Sequence, residues 1–396
     1  MKIALVYDAI YPYIKGGGEK RFYEIGKQLV QRGHQVHLYG MKFWNGTNII
    51  EKEGLYLHGI CREENLYTNE GRRSILQALY FGLCSLRLIK EHFDVLDCCT
   101  FPYFSLFACK LVSIIKRKPL FATCHEVWGK DYWFEYMGWK GFIGCIVERF
   151  AFLLPDRIIS VSSHTTNKLK NQLNSKKTIA TIPNGIKSGM IKKVKGAKEE
   201  CEVIFTGRLL KHKNVDVLIK SIHLVKKKIP GIKCSIVGDG PEKESLEELT
   251  NKLQLKNNIK FYGFLEKEED VFSLIKSSKV LVLPSTREGF GMVVIEANAC
   301  GVPVITVNAK DNAAKELIKE GENGFVCLLD EKDISEKIIM ILTNIPDLKI
   351  KKNCINFAAL YEWNRITDAI EKVYTGGRQR SDVIQAEDPI IDRIVK

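Results

Sequence analysis

The 396-residue chain has no C-x-x-C pair, no Cys/His ligand spacing and no Asp-x-Asp. The first two absences speak against a zinc site. The third removes the usual carboxylate pair for a divalent metal on a phosphate chain. Low-complexity tracts and short-period repeats are missing too, which excludes solenoids and disordered scaffolds. No apolar run approaches the ~20 residues of a membrane span, because "FIGCIV" and "FAFLL" in 142–154 are broken by Glu148 and Arg149. The opening "MKIALVY" runs straight into a polar loop and is too short for a secretory signal core. Together these features point to a cytoplasmic protein.

The 12 cysteines are scattered and most lie in apolar runs, as reduced core thiols do. A hydrophobic content of 45% over 396 residues suffices for two domains, each with its own core. The net charge of +13 is uneven: residues 1–200 carry 30 Lys and Arg against 18 Asp and Glu, and the second half is near balance. Nine lysines fall between Lys168 and Lys198. A solvated face accounts for such a run, and so does an anionic partner, either a phosphorylated acceptor or an acidic membrane surface. The lysines are not interleaved with aromatics, which speaks against nucleic acid.

Apolar strands alternate with amphipathic helices from the start. Strands are expected at 2–7, 34–40, 94–99, 119–124, 157–162 and 178–183, with helices at about 20–32, 74–91 and 102–116 between them. The alternation stops in "KSGMIKKVKGAKEE" (187–200), which reads as a linker, and restarts at 202–207, 234–240, 259–264, 279–284 and 302–307. The expected fold class is α/β, with two Rossmann-like, doubly wound parallel sheets facing a cleft: residues 1–190 in one domain and 191–375 in the other. Trp363, Ile366, Ile370 and Val373 keep a helical spacing, and that last helix is expected to pack back on the first domain. A polar tail follows over 376–396. In such sheets ligands bind beyond the carboxyl ends of the strands, so the loops after strands are the informative ones.

"GGGEK" (16–20) opens a helix after the first strand. Its glycines permit close backbone approach, and the amides at a helix start favour an anion, although a plain turn would use the same residues. The glycine spacing is not that of a Walker motif. His125 ends the strand in "LFATCHEVWG" and so stands at a strand end. Arg208 and Lys213 straddle a loop-to-helix junction in "TGRLLKHKN", where both side chains can converge on one diphosphate. "VGDGPEK", from Val237, lacks the third glycine of a dinucleotide fingerprint. In "STREGFGMVVIEANACGVP" (285–303), Glu288 precedes a helix and Glu296 lies in its second turn, roughly 10 Å further along the axis. That spacing fits one ligand spanned lengthwise, with carboxylates accepting from vicinal hydroxyls. A cap on the helix dipole and a partly buried acid would explain the two glutamates equally.

The ordered set "GGGEKRFYEIG", "TCHE", "SVSSHTTNKL", "TIPNGI", "FTGRLLKHKN", "IVGDGP", "FYGFL", "LPSTREGFGMVVIEANACGVPVI" and "GENGFVC" resembles the retaining glycosyltransferases of family 4, also called glycosyl transferase group 1, with the GT-B fold. The resemblance covers about 1–375 and is most specific in the second half. It implies a nucleotide-diphosphate sugar donor (UDP-, GDP- or ADP-linked) held by the second domain and a hydroxyl acceptor held by the first. By the same resemblance Glu288 meets the donor sugar and Glu296 the ribose. The backbone at Phe290, Gly291 and Met292 meets sugar and phosphate. Arg208 and Lys213 bind the diphosphate, Gly17 and Gly18 approach the phosphates, and His125 lies near the sugar. Gly238 and the loop around Phe264 line the donor site. No cofactor or metal is implied, and the resemblance implies retention at the anomeric carbon.

The implied role is synthesis of a glycan, glycolipid or cell-surface polysaccharide. The aromatic stretch 131–154, with the basic excess, suggests peripheral association with the inner face of an anionic membrane and a lipid-linked acceptor, or else a helix packed under the sheet. A nucleotide-sugar 2-epimerase would share the architecture without this E-x7-E block. A non-catalytic sugar-nucleotide-binding protein would lack Arg208, Lys213 or Glu288.

Overall fold

The computed structural model describes residues 1–68, 73–173, 177–344 and 347–376. The expected polar tail beyond Gly376 lies outside them. The contacts divide the chain into two compact units: Met1–Asn184 with the stretch from Trp363, and Gly185–Glu362.

The first unit runs β1 Lys2–Val6, α1 Gly17–Gln31, β2 Gln35–Lys42, β3 Ile49–Lys52, β4 Leu55–Arg62, α2 Ile75–Ser85, β5 Val95–Cys99, α3 Phe104–Lys116, β6 Leu120–Cys124, α4 Gly129–Met137, α5 Gly141–Leu153, β7 Arg157–Ser160, α6 Ser163–Leu173 and β8 Ile179–Thr181. The sheet order is β3-β4-β2-β1-β5-β6-β7-β8, parallel except for β3 at the edge. The winding reverses between β1 and β5, the position where open α/β sheets hold ligands. Helices cover both faces, so the strands are apolar along their whole length: Ile3, Ala4, Leu5 and Val6 are all buried.

The hairpin β3–β4 is an addition to the expected pattern. Its turn uses Glu53 and Gly54, both at positive φ (52° and 80°), as a tight hairpin requires. In "EKEGLYLHGI" the alternation is short and charged, so the strands stand out only once β4 is seen lying parallel to β2.

The second unit runs α7 Ser188–Lys193, β9 Cys201–Thr206, α8 Val215–Lys226, β10 Cys234–Val237, α9 Lys243–Lys252, β11 Ile259–Gly263, α10 Glu268–Lys276, β12 Ser278–Leu283, β13 Arg287–Glu288, α11 Met292–Ala299, β14 Val304–Val307, β15 Asp311–Asn312, β16 Gly324–Cys327, α12 Glu331–Asn344 and α13 Asp347–Ala358. Its parallel sheet is ordered β11-β10-β9-β12-β14-β16, reversing between β9 and β12, and β13 pairs separately with β15.

The stretch expected as a linker (187–200) contains helix α7 instead. Ile191 is buried, and Lys276 Nζ donates to the carbonyl of Val194 at 2.7 Å. One buried anchor among lysines leaves too little apolar pattern to mark a helix in sequence.

The last helix, α14 Trp363–Tyr374, belongs to the first unit and packs on α1. Trp363, Ile366, Ile370 and Val373 are all buried. Tyr374 Oη donates to Asp97 Oδ2 at 2.5 Å, and Thr123 Oγ1 donates to the same oxygen at 2.8 Å. Burial of Asp97 pushes its carboxyl up to about 6, against the pull of these bonds. Fully buried Arg21 donates to the carbonyls of Ile182 and Pro183 and to Asn184 Oδ1, tying α1 to the end of the first unit. Tyr374→Phe should therefore lower stability by about 1–3 kcal/mol, read as an earlier thermal unfolding transition, because buried Asp97 loses a donor without gaining water.

Candidate functional site

In the second unit the loops after β9, β10, β11 and β12 meet at the carboxyl edge of the sheet. Two of them are pressed together backbone against backbone. A Cβ at Gly238 would lie 1.9 Å from the Gly207 carbonyl oxygen, and one at Gly240 2.3 Å from that of Leu209. Leu209 N donates to the Asp239 carbonyl at 2.9 Å, and Gly238 N to that of Gly263 at 2.8 Å. The glycines of "VGDGP" thus serve close packing of loops, and this packing fixes the loop that carries Arg208. Phe264 follows β11 and is exposed.

Asn214 sews the next two loops together. It sits at positive φ (49°), and its side-chain amide donates to the carbonyls of His212 and Pro284, both at 3.0 Å. Thr286 N donates to the His212 carbonyl at 2.9 Å. The result is an ion pair between Lys213 Nζ and Glu288 Oε1 at 2.5 Å, with side chains only 16% and 14% exposed. Glu288 is steadied from the other side as well, since β13 pairs with β15 and sets Glu288 opposite buried Asn312. The Asn312 amide in turn donates to Thr306 Oγ1 at 3.0 Å and to the Val307 carbonyl at 2.8 Å.

Gly291 caps α11 with φ 96°, and a Cβ there would approach Ala314 Cβ to 2.6 Å, so only glycine serves. Met292 begins the helix, where amides lack partners within the helix. The Phe290 side chain is buried beside Tyr361 and belongs to the core; only its backbone stands at the site. Glu296 is half-buried on the second turn of α11.

The electrostatics of this edge are cationic. His212 is held far below its usual value, at about 3, first by burial and then by the charges of Arg287, Lys213 and Arg208. Arg287, Lys213 and Arg208 thus act on one neutral imidazole, with Glu288 paired to Lys213. Arg287 was not singled out by the sequence reading. It lies beside Glu288 on β13, and only the structure brings its charge to bear on His212 in the loop that carries Lys213.

In the first unit Gly17, Gly18 and His125 stand at the carboxyl ends of β1 and β6. A Cβ at Gly18 would lie 3.1 Å from the Tyr7 ring and 3.3 Å from His125 Nε2. That Nε2 is buried without a partner, and burial followed by the charge of Arg21 holds the ring neutral, near 3. The expectation of open amides at the start of α1 needs correction. The Glu19 carboxyl folds back there, so close that a Cβ at Gly16 would be 2.3 Å from Glu19 Oε2. Burial raises the Glu19 carboxyl to about 7.

Beside it, Asp8 accepts from Arg73 and, at 3.0 Å, from Gln77 Nε2. Asp8 Oδ1, Gln77 Oε1 and Arg73 Nε are buried with no partner, a set of polar atoms that a hydroxyl-bearing ligand would satisfy. Asp8 lies two residues past the end of β1 and could have been found from that position. Arg73 and Gln77 arrive from a distant part of the sequence. Among the described residues no three His, Cys, Asp or Glu side chains gather as a metal site.

Two family models match the chain: glycosyltransferase family 4 over residues 15–188 and glycosyl transferases group 1 over residues 188–360. The chain belongs to the group 1 glycosyltransferases. An uncharacterized glycosyltransferase of Haemophilus influenzae is 29% identical over 57% of the chain, and the match spans 62% of that relative's length. The gpi3 subunit of a Schizosaccharomyces pombe phosphatidylinositol N-acetylglucosaminyltransferase is 24% identical over 93% of the chain and 79% of its own. Among solved structures, Anabaena HepE in complex with UDP and glucose matches with a TM-score of 0.72 at 20% identity, covering 95% of this chain and all of that one. That likeness establishes the GT-B fold of two Rossmann-like domains.

Glu19 gives this glycosyltransferase a measurable pH signature. The folded protein keeps the Glu19 proton up to about pH 7, while the unfolded chain releases it near 4.5. Between those values the folded state binds the extra proton, so this carboxyl lowers stability as pH rises, and the loss is complete above 7. Glu19→Gln removes the effect. The variant should match the parent near pH 4.5 and exceed it at pH 8, by about 3 kcal/mol at most. Thermal unfolding across that range checks this.

Proposed function

We propose that the enzyme moves a sugar from a nucleotide-diphosphate donor to a hydroxyl acceptor with retention of the anomeric configuration. The observation that carries this reading is the gathering of Arg208, Lys213 and Arg287 around neutral His212, beside Glu288, at the carboxyl edge of the second sheet. Three fixed cations with one carboxylate suit a ligand that has a diphosphate at one point and hydroxyls next to it. A matching structure was solved with UDP and glucose, which supports a nucleotide-linked sugar as donor. The lipid-directed name of the yeast relative supports a glycolipid acceptor.

The roles are those that the family resemblance implies, and the chemistry of each residue suits its role. Arg208 and Lys213 neutralise the diphosphate as its oxygen takes the electron pair of the breaking bond to the anomeric carbon. No metal is required for that step. Glu288 accepts from donor sugar hydroxyls and, through its pairing with Lys213, sets the distance between sugar and diphosphate. Phe290, Gly291 and Met292 contribute backbone amides, and Glu296 accepts from the ribose. Phe264 stacks near the base, and Gly238 keeps the neighbouring loop close. In the first unit Gly17 and Gly18 keep the phosphate-approaching role that the family resemblance gives them, and neutral His125, its Nε2 buried without a partner, can hydrogen-bond a hydroxyl without adding charge. The acceptor oxygen bonds to the anomeric carbon from the face the diphosphate leaves, and its proton passes to a leaving phosphate oxygen.

UDP-, GDP- and ADP-sugars should be compared by thermal shift and then by hydrolysis. The correct donor at 100 times its Kd should stabilise the protein by about 2.7 kcal/mol. A panel in which none shifts the transition would overturn the donor reading. Lys213→Ala and Glu288→Gln should each lower kcat by about a hundredfold or more with little change in unfolding temperature. Near-normal turnover in both would remove these residues from the site. Product stereochemistry by NMR of the anomeric proton tests retention.

A further inference from the structure

Helices α2, α3 and α5 of the first unit carry an apolar surface that the sheet does not use. Connections β4 to β5, β5 to β6 and β6 to β7 run one way along the sheet, while β1 to β2 runs the other. Right-handed crossovers therefore put these helices on the face opposite α1. α2 packs on α3, and α3 on α5. Their inner sides enter the core through Phe81, Leu106, Val112 and Phe152. Their outer sides are apolar too: Leu76 is 79% exposed, Leu83 69%, Ile114 61% and Phe142 62%, with Leu111 and Phe150 also exposed. A helix that is apolar all round is one expected to be covered on both sides, and exposed patches of this kind mark interaction surfaces.

The charge on these helices has one sign. Over the three the charged residues are Lys110, Lys116, Glu148 and Arg149. Glu148 is buried and turned inward. It accepts from Trp128 N at 2.8 Å, Gly129 N at 2.9 Å, Trp133 Nε1 at 3.0 Å and Tyr103 Oη at 2.7 Å. The outward surface therefore bears no carboxylate of these helices, and Arg117 and Lys140 extend its basic rim. Lys110 pairs with Asp156 just past α5, and Asp131 and Glu135 stand on α4, outside the three.

We infer that this three-helix face seats the protein on an anionic lipid bilayer, the apolar side chains entering the headgroup boundary and Lys116, Arg149 and the rim meeting lipid phosphates. The charge favours lipid over a second copy, because an isologous contact through this face would bring its cations together. The inference stands apart from the transfer reaction, and vesicle binding alone reads it.

The test is co-sedimentation of the full chain at low salt with vesicles of phosphatidylcholine alone or with about one third phosphatidylglycerol. The expected result is binding to the anionic vesicles, at least about tenfold weaker on neutral ones and weakened by salt. Ile114→Glu, at an exposed position, should unfold at the parent temperature and lose binding. Lys116→Gln with Arg149→Gln should weaken binding to anionic vesicles roughly twentyfold. The inference is overturned by absent binding, by equal binding to both vesicle types, or by binding that Ile114→Glu leaves intact. A dimer seen in ultracentrifugation that Ile114→Glu breaks, without vesicle binding, would assign the face to a second copy instead.

Discussion

A parallel strand covered by helices on both faces satisfies its backbone within the sheet and can offer polar chemistry only where it ends. Both sheets of this glycosyltransferase obey that constraint, and the rest of the molecule is arranged around it. In the second unit every residue of the candidate site lies on a loop that leaves the carboxyl edge or in the first two turns of the helix that follows. The loops hold their shape because their backbones are fastened to each other: Gly207 against Gly238, Leu209 against Gly240, and the His212 carbonyl shared by Asn214 and Thr286.

The two units differ in the sign of what they place at those edges. The second gathers Arg208, Lys213 and Arg287, and their charges together with burial keep His212 neutral. The first gathers Asp8 and Glu19, whose carboxyls are raised by burial, with Arg73 opposing that rise. A cluster of cations suits a permanently anionic ligand. Carboxyls raised by burial, beside buried polar atoms with no partner, suit hydroxyls. Neutral His125 and His212 supply polar contacts without competing for either.

Much of the fold was legible because buried parallel strands are written as unbroken apolar runs and their helices as 3.6-residue patterns. "KIALV", "VIFT" and "VLVL" needed no tertiary information. The hairpin β3–β4 and the helix α7 were not legible. The apolar positions of β3 and α7 are few and lie among charges, and β4, though apolar, follows the charged turn 51–54, so the neighbours they pack on decide them. At the site, Glu288, Lys213 and Arg208 stood out by their places beyond strand ends. Arg287, Asn214 and Asn312 did not, since an arginine or asparagine in a loop has no local pattern, and its meaning comes from the loop it touches.

The sequence by itself determined two doubly wound α/β units, the loops that face outward from the strand ends, and a basic first half, because periodicity and composition are local properties of the chain. Only the tertiary structure decided that Lys213 and Glu288 are a pair, that the Glu19 carboxyl occupies the start of α1, and that Glu148 turns inward. The first and third depend on residues brought together from distant positions, and the second on how a side chain folds within its own turn. Distance and burial, which a sequence does not carry, decide whether a charge is exposed, neutralised or paired.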